Sequence, residues 1–333
     1  MIGYYVHHMG AGHLNRARAV AARAGVDVTG LSSLPAPPGW PGPWVRLERD
    51  DWAADVVDPT ACGNLHWVPE GDDGLRRRMT RISAWLDTAR PDVVVSDVSA
   101  EVTLLVRLHG VPVVSVVLPG RRGDRAHRGA HAVSTELVAA WPQEASGMVH
   151  GLTTADARRM HPIGALSRLE VATPGPCHPG RRTVLVLSGS GGGHPTREQL
   201  DRAAAETPDW SWRALGGPGE WVDDPTPALD GADVVIIQGG ESAVADVAAR
   251  RRPAIVVPAA RPFDEQGATG RALATGEWPA RVEKHFPRTG WSERLEHVAA
   301  LDGRQWRRWC DGHAADRMTE LLMTLTQRRR RTA

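Results

Sequence analysis

Cysteine is scarce. The chain has 333 residues and three cysteines, Cys62, Cys177 and Cys310, far apart and odd in number. No C-x-x-C pair occurs, so neither a disulfide framework nor a zinc site is supported, and a reducing cytoplasm is expected. Lysine is rare beside arginine. Phe and Tyr number two each against thirteen Trp, a ratio that points to no function. Net charge is only +1, which excludes a global field that gathers nucleic acid or an anionic membrane. No apolar run nears the roughly 20 residues that span a bilayer. The N-terminus lacks a basic stretch followed by an apolar one, so no signal peptide is expected.

What is present is alternation. Apolar runs rich in β-branched residues, at 2–6, 26–31, 91–97, 111–119, 183–188, 232–238 and 253–258, alternate with helical patterns. Helices are expected over 14–24, 74–89, near 100–109, and over 196–206, 241–250 and 265–275. In the second of these, Leu75, Met79, Ile82, Trp85, Leu86 and Ala89 share one face. A last helix, about 303–326, is expected to carry Trp306, Trp309, Cys310, Met318, Leu321, Leu322 and Leu325 on one stripe. The stretch 169–182 is dense in Pro and Gly without period, and reads as a linker. The strand–helix order restarts after it. The fold class expected is α/β: two Rossmann-like parallel-sheet domains facing across a cleft. They cover 1–168, on the acceptor side, and 183–333, with the last helix packing back on the first domain.

In such sheets ligands bind beyond the carboxyl ends of the strands, so the loops after strands matter most. "HHMGAGHLNRA" (7–17) follows the first strand and carries Gly12 and His13. "SGSGGGHP" (188–195) carries Ser190, Gly191, Gly192 and His194. Glycine lets a backbone approach a ligand, and helix N-termini attract phosphate. Neither loop is a P-loop, and Asn15 stands where a dinucleotide fingerprint needs its third glycine. "QGGESAVAD" (238–246) carries Gln238, Gly239, Gly240, Glu241, Ser242 and Asp246. The loop near 258–266 delivers Glu265 and Gln266, apt for sugar hydroxyls. "GRRGDRAHRG" (120–129) carries Arg121, Arg122, Arg125 and Arg128, whose forks suit phosphate or carboxylate. It reads either as an acceptor contact or as a solvated loop. No DxD motif at a strand end offers a metal site.

The 238–266 stretch resembles the donor signature of GT-B glycosyltransferases, in the branch of the bacterial lipid-II-forming GlcNAc transferase (family 28-like). "GAGHLNRARAVA" resembles that branch's N-terminal glycine loop, and "TVLVLSGSGGG" its first C-domain strand and loop. The resemblance implies a nucleotide-sugar co-substrate, with uracil the usual base, and no cofactor. It places Asp246 on the ribose, where the family usually has Glu. Gly239 and Gly240 pass the nucleotide, Ser190 and Gly191 the diphosphate, and Glu265 and Gln266 the transferred sugar. Gln238 replaces a frequent basic residue, and the acidic Glu241 stands close to the proposed diphosphate.

An acceptor hydroxyl needs a base, and His is the usual choice. His13 is expected in that role, with Asp97 fixing its tautomer. The bland alternatives are a turn or phosphate contact for His13 and an N-cap for Asp97. The leading expectation is an inverting, metal-independent glycosyltransferase, taking a small-molecule, glycan or lipid-linked acceptor. It would be cytoplasmic or peripheral at the inner membrane face. The opening "GAGHLNR" also resembles "GxGHxxR" of nucleotide-sugar hydrolases of the pseudaminic-acid pathway, in which His13 would activate water. A non-catalytic nucleotide-sugar-binding accessory protein is the third alternative.

Overall fold

The computed structural model describes residues 1–52, 55–172, 180 and 182–332. Most of the expected linker, including Cys177, lies outside the described residues.

The first half runs β1 (Ile2–Tyr5), α1 (Ala11–Arg23), β2 (Val28–Ser32), β3 (Trp44–Arg46), α2 (Asp73–Ala89), β4 (Val93–Asp97) and α3 (Ala100–Leu108). It continues with β5 (Val113–Val117), β6 (Gly120–Arg121), α4 (Arg125–Val133), β7 (Glu136–Ala139), β8 (Val149–His150), α5 (Thr154–Arg158) and β9 (Met160–Pro162). The second half runs β10 (Arg182–Leu187), α6 (Arg197–Glu206), β11 (Trp210–Leu215), α7 (Thr226–Asp230), β12 (Val234–Ile237) and α8 (Glu241–Ala249). It ends with β13 (Ala254–Val256), α9 (Glu265–Thr275), β14 (Ala280–Val282), α10 (Trp291–Ala299) and α11 (Ala314–Thr332).

Two large sheets form among the described residues, both parallel in every pairing, and β6 pairs with β8 in a small third one. The strand orders of the large sheets are β3-β2-β1-β4-β5-β7-β9 and β11-β10-β12-β13-β14. Parallel strands covered on both faces read as continuous apolar runs. β1, β4, β5 and β12 are buried along their whole length. Each sheet reverses its strand order once, between β1 and β4 in the first and between β10 and β12 in the second. These reversals are where an open α/β sheet leaves a ligand crevice. The loops singled out in the sequence, after β1, β4, β10 and β12, are the ones that flank them.

Several expectations on local structure need correction. α1 begins at Ala11, so His13 sits in a first helical turn and not in the preceding loop. The basic loop 120–129 is a short strand followed by α4, which Asp124 caps by accepting from His127 N. Arg78 of α2 is fully buried; it pairs with Asp50 and donates to Ser33 Oγ at 2.7 Å.

The last long helix is two elements: a 3-10 segment, Gly303–Arg308, then α11. Gly312, at φ 90°, lies in the break between them. The apolar stripe splits with it. Trp306, Trp309 and Cys310 pack in a core of the second sheet. Met318, Leu322 and Leu325 pack with Ile2, Val20 and Val95 in a core of the first.

Candidate active site

His13 and Asp97 meet. β4 ends at Asp97, and the first turn of α1 carries His13 beside it, with Nδ1 2.9 Å from Asp97 Oδ1. Asp97 is fully buried, and its other oxygen accepts from Tyr4 Oη at 3.4 Å. A carboxylate only accepts, so the imidazole's Nδ1 carries the shared proton, which leaves Nε2 as the nitrogen that faces away from Asp97. The cap of α3 is Ser99, accepting from Val102 N, so Asp97 is not spent as an N-cap.

A residue the sequence reading passed over completes this cluster. Arg16, one helical turn beyond His13, donates from Nη1 to the same Asp97 Oδ1 at 2.7 Å. Its Nη2 reaches Glu241 Oε2, in the second half of the chain, at 2.6 Å. Burial works against ionisation of Asp97, but Arg16 and then His13 outweigh it and hold the carboxyl below its usual range. Glu241 goes the other way. Burial, opposed by Arg16 and reinforced by Glu265 and Asp97, pushes it up to about 7. One of its oxygens, Oε1, is buried without a partner.

The two halves touch around this point. Gly12 backs onto Ser242: a Cβ at Gly12 would stand 2.8 Å from Ser242 Oγ. Neither α1, entered through Gly10, nor α8, entered through Gly240, has a side-chain cap. Two helix N-termini with uncapped N–H groups, carrying partial positive charge, therefore meet in the cleft.

The second-half residues singled out in the sequence form another, interlocked group. Gln238 is buried and donates from Nε2 to Gly192 O at 2.9 Å, which holds the glycine loop. Arg261 donates to the same carbonyl at 2.8 Å and lies over Gly191, where a Cβ would come within 2.8 Å of its Nη2. This cation was not singled out from the sequence, yet it is the nearest charge to the loop. Ser190 and Gly191 are exposed. Gln266 is buried, with Oε1 accepting from Ala259 N at 2.9 Å; Gly239 packs on its backbone, and Gly240 lies beside its amide.

The ring of His194 packs on the turn at Gly217. It also lines a crevice of about 830 Å³ with Ser188, Gln238, Pro258, Lys284 and Phe286. That crevice adjoins the glycine loop from the side of α6 and α10, and neither His13 nor Asp97 lines it.

Asp246 lies away from Glu241. Five residues along a helix turn a side chain by about 140°. Asp246 accordingly accepts from Ser167 Oγ at 2.7 Å and Arg168 Nε at 3.3 Å, and burial raises its carboxyl despite both donors.

In the basic stretch 120–129, Arg121, Arg125 and Arg128 are exposed, but Arg122 is not. Arg122 is turned inward, donating to Pro119 O at 2.7 Å and lying 5.0 Å over the Phe263 ring, with Glu265 at 3.7 Å. It is a domain contact more than a free anion fork.

Two groups among the described residues bring three metal-type donor atoms within 4.8 Å: His66, Asp124 and His127, and His8, Asp50 and Asp51. Both already hold internal cations. Arg78 and Arg49 pair with Asp50 and Asp51, and Arg122 donates to His127. No described helix is long and apolar enough to cross a membrane.

No family model and no curated protein sequence matches the chain. Solved structures match along nearly its whole length. The glycosyltransferase of kitacinnamycin aligns at 17% identity and TM-score 0.68, over 97% of this chain and 98% of that one. MurG of Acinetobacter baumannii aligns at 15% identity and TM-score 0.61, over 97% and 99%. LpCGTa, solved in complex with UDP, aligns at 14% identity and TM-score 0.62, over 98% and 99%. At these identities the likeness carries the fold, and the fold is GT-B: two Rossmann-like domains facing across a cleft.

Proposed function

We propose that the chain transfers a sugar from a nucleotide-sugar, UDP-linked, to an acceptor hydroxyl, with inversion and without a metal. The observation that carries this reading is the His13–Asp97 contact at the point where two uncapped helix N-termini from the two domains converge. Nε2 of His13 takes the acceptor's proton as its oxygen attacks the anomeric carbon. The bond from that carbon to the diphosphate breaks on the opposite face, and the nucleoside diphosphate leaves with the electron pair. Asp97 stabilises the imidazolium that forms.

The leaving charge is met by N–H groups of the glycine loop at 190–192, by the α8 N-terminus, and by Arg261. Asp246, with Ser167 and Arg168 beside it, takes the ribose hydroxyls through lone pairs that those donors leave open. Glu265, part-exposed, and the Gln266 amide face the transferred sugar. The UDP bound to LpCGTa, a protein of the same fold, supports uracil as the base. His194 flanks the phosphates. Arg121 and Arg125 remain for an anionic or lipid-linked acceptor, and their exposure supports that assignment. A soluble protein of the cytoplasm, resting at most on the membrane's inner face, fits this chemistry.

Water in place of the acceptor gives the hydrolase reading, which the "GHLNR" opening with its buried Arg16 favours. Thermal-shift screening against a panel of nucleotide-sugars tests the common premise. A donor at about 100 times its Kd adds about 2.7 kcal/mol to the folded state. No shift with any member would overturn transferase and hydrolase alike. A shift without release of nucleoside diphosphate, with or without acceptors, would leave the accessory-protein reading.

A further inference from the structure

The base stands in one half of the chain and the donor loops stand in the other. A buried chain of charges joins them: His13 to Asp97 Oδ1, Arg16 to the same oxygen, and Arg16 again to Glu241 Oε2. His13 and Arg16 are three residues apart on α1 and so share a face. Arg16 is 7% exposed and Asp97 not at all.

A carboxylate so enclosed needs a cation. His13 cannot be that cation, because a base must be neutral when it receives its proton. Arg16 is permanently charged and within 2.7 Å, so it is what lets Asp97 stay ionised while His13 stays neutral. Arg16 is in turn set from across the cleft. Its second nitrogen donates to Glu241 at the start of α8, where Gly12 and Ser242 let the two halves approach to contact distance.

We propose that Arg16 is the positioning residue of the base, and that Glu241 holds it in place only when the two domains are docked. The role rests on the reading of His13 as the base. Its consequence is that no hydroxyl is activated until the donor-binding half is in position, so the base is assembled with the donor site and not before it.

The charged and titratable groups facing this cluster come from every packed element. Tyr4 comes from β1, His7 from the loop after it, Arg16 from α1, Asp97 from β4, Glu241 from α8 and Glu265 from α9. Removing the positive charge of Arg16 makes the cluster bind a proton more readily. Glu241, whose carboxyl is pushed up to about 7, acts on the cluster through the hydrogen bond it accepts from Arg16 Nη2, so its removal is read in the orientation and tautomer of His13.

The test is a pH titration of the imidazoles in the full-length, 15N-labelled protein by NMR, with His13 identified by loss of its signals in His13→Gln. Arg16→Gln is expected to move the His13 midpoint upward by about one pH unit and to weaken its preference for the Nδ1–H tautomer. Arg16→Lys is expected to keep it near wild type, and Glu241→Ala, which removes the acceptor of Arg16 Nη2, to weaken the Nδ1–H preference in the same sense as Arg16→Gln. A midpoint unchanged in Arg16→Gln, or a tautomer preference unchanged in Glu241→Ala, would overturn the proposal. Should Arg16→Gln not fold, Glu241→Ala decides by the His13 tautomer. The readout needs no substrate. These shifts without any donor turnover would refute the proposed function and leave Arg16 only as the residue that orients the His13 ring.

Discussion

Replacing Asp97 with Asn keeps the shape of the side chain and removes its charge. In the native protein its carboxylate takes Arg16 at 2.7 Å and His13 at 2.9 Å in a site with no solvent exposure. Removing one partner of a buried ion pair costs about 3–5 kcal/mol. Glu241 still pairs with Arg16 at 2.6 Å and Asn still accepts a hydrogen bond, so the lower end of that range is expected. The sign of its pH dependence follows from the depressed carboxyl. The stability Asp97 contributes is fully present above its unfolded pKa, near 4, and is lost as pH falls through the lower folded value. The gap between wild type and Asp97→Asn should therefore be full at pH 7 and shrink below about pH 4.

The kinetic effect is larger. Without an anion behind Nδ1, neither the tautomer nor the imidazolium is stabilised, and kcat should fall about 10³- to 10⁴-fold with donor affinity largely retained. Donor affinity is measured by calorimetry, kcat by release of nucleoside diphosphate, and folding by circular dichroism at the assay temperature. A folded variant whose kcat lies within about tenfold of wild type would refute the role of Asp97.

Glu241→Gln tests the raised carboxyl. Wild-type stability should fall as pH rises from about 4.5 to about 7, because the folded protein holds that proton more tightly than the unfolded chain. The variant should lack this slope, at most about 1.4 kcal/mol per pH unit, in melting temperatures taken across the window. Gly12→Ala should destabilise by less than about 1 kcal/mol, because the Ser242 hydroxyl can rotate from the added Cβ and alanine favours the helix, and Ser242→Gly should remove that loss in a double-mutant cycle followed by urea unfolding. Arg261→Ala should raise the donor KM by about tenfold, as loss of about 1.4 kcal/mol, with the free protein's melting temperature little changed. An unchanged KM would remove Arg261 from the phosphate site.

The parts of the site that could be read from sequence are those written as loops after buried strands. "HHMGAGH", "SGSGGG" and "QGGES" follow β1, β10 and β12 because parallel strands read as plain apolar runs and glycine marks their ends, and Asp97 is the polar residue that closes β4. Arg16 could not be read this way. An arginine in an amphipathic helix normally faces solvent, and its burial depends on a carboxylate 81 residues away and another 225 away. Arg78 was hidden for the same reason. Arg261 sits in a loop that was singled out, but its direction over Gly191 is a tertiary fact.

The split of the last helix was missed because apolar periodicity records that residues are buried, not in which core. Trp306 and Met318 fall on one expected stripe while serving different cores. β11, with its alternating exposed and buried residues, and the three-residue β14 gave no run long enough to register.

The most direct measurement of the proposed chemistry follows the anomeric carbon. A nucleotide-sugar that binds is incubated with wild type and with His13→Ala, with candidate acceptors or with water alone, and early products are read by proton NMR. Inversion predicts a β-configured product from an α-linked donor. It also predicts a rate about 10²- to 10⁴-fold lower in the variant, at similar donor affinity. Retained α-configuration, or equal rates in the two proteins, would contradict His13 as the base of an inverting transfer.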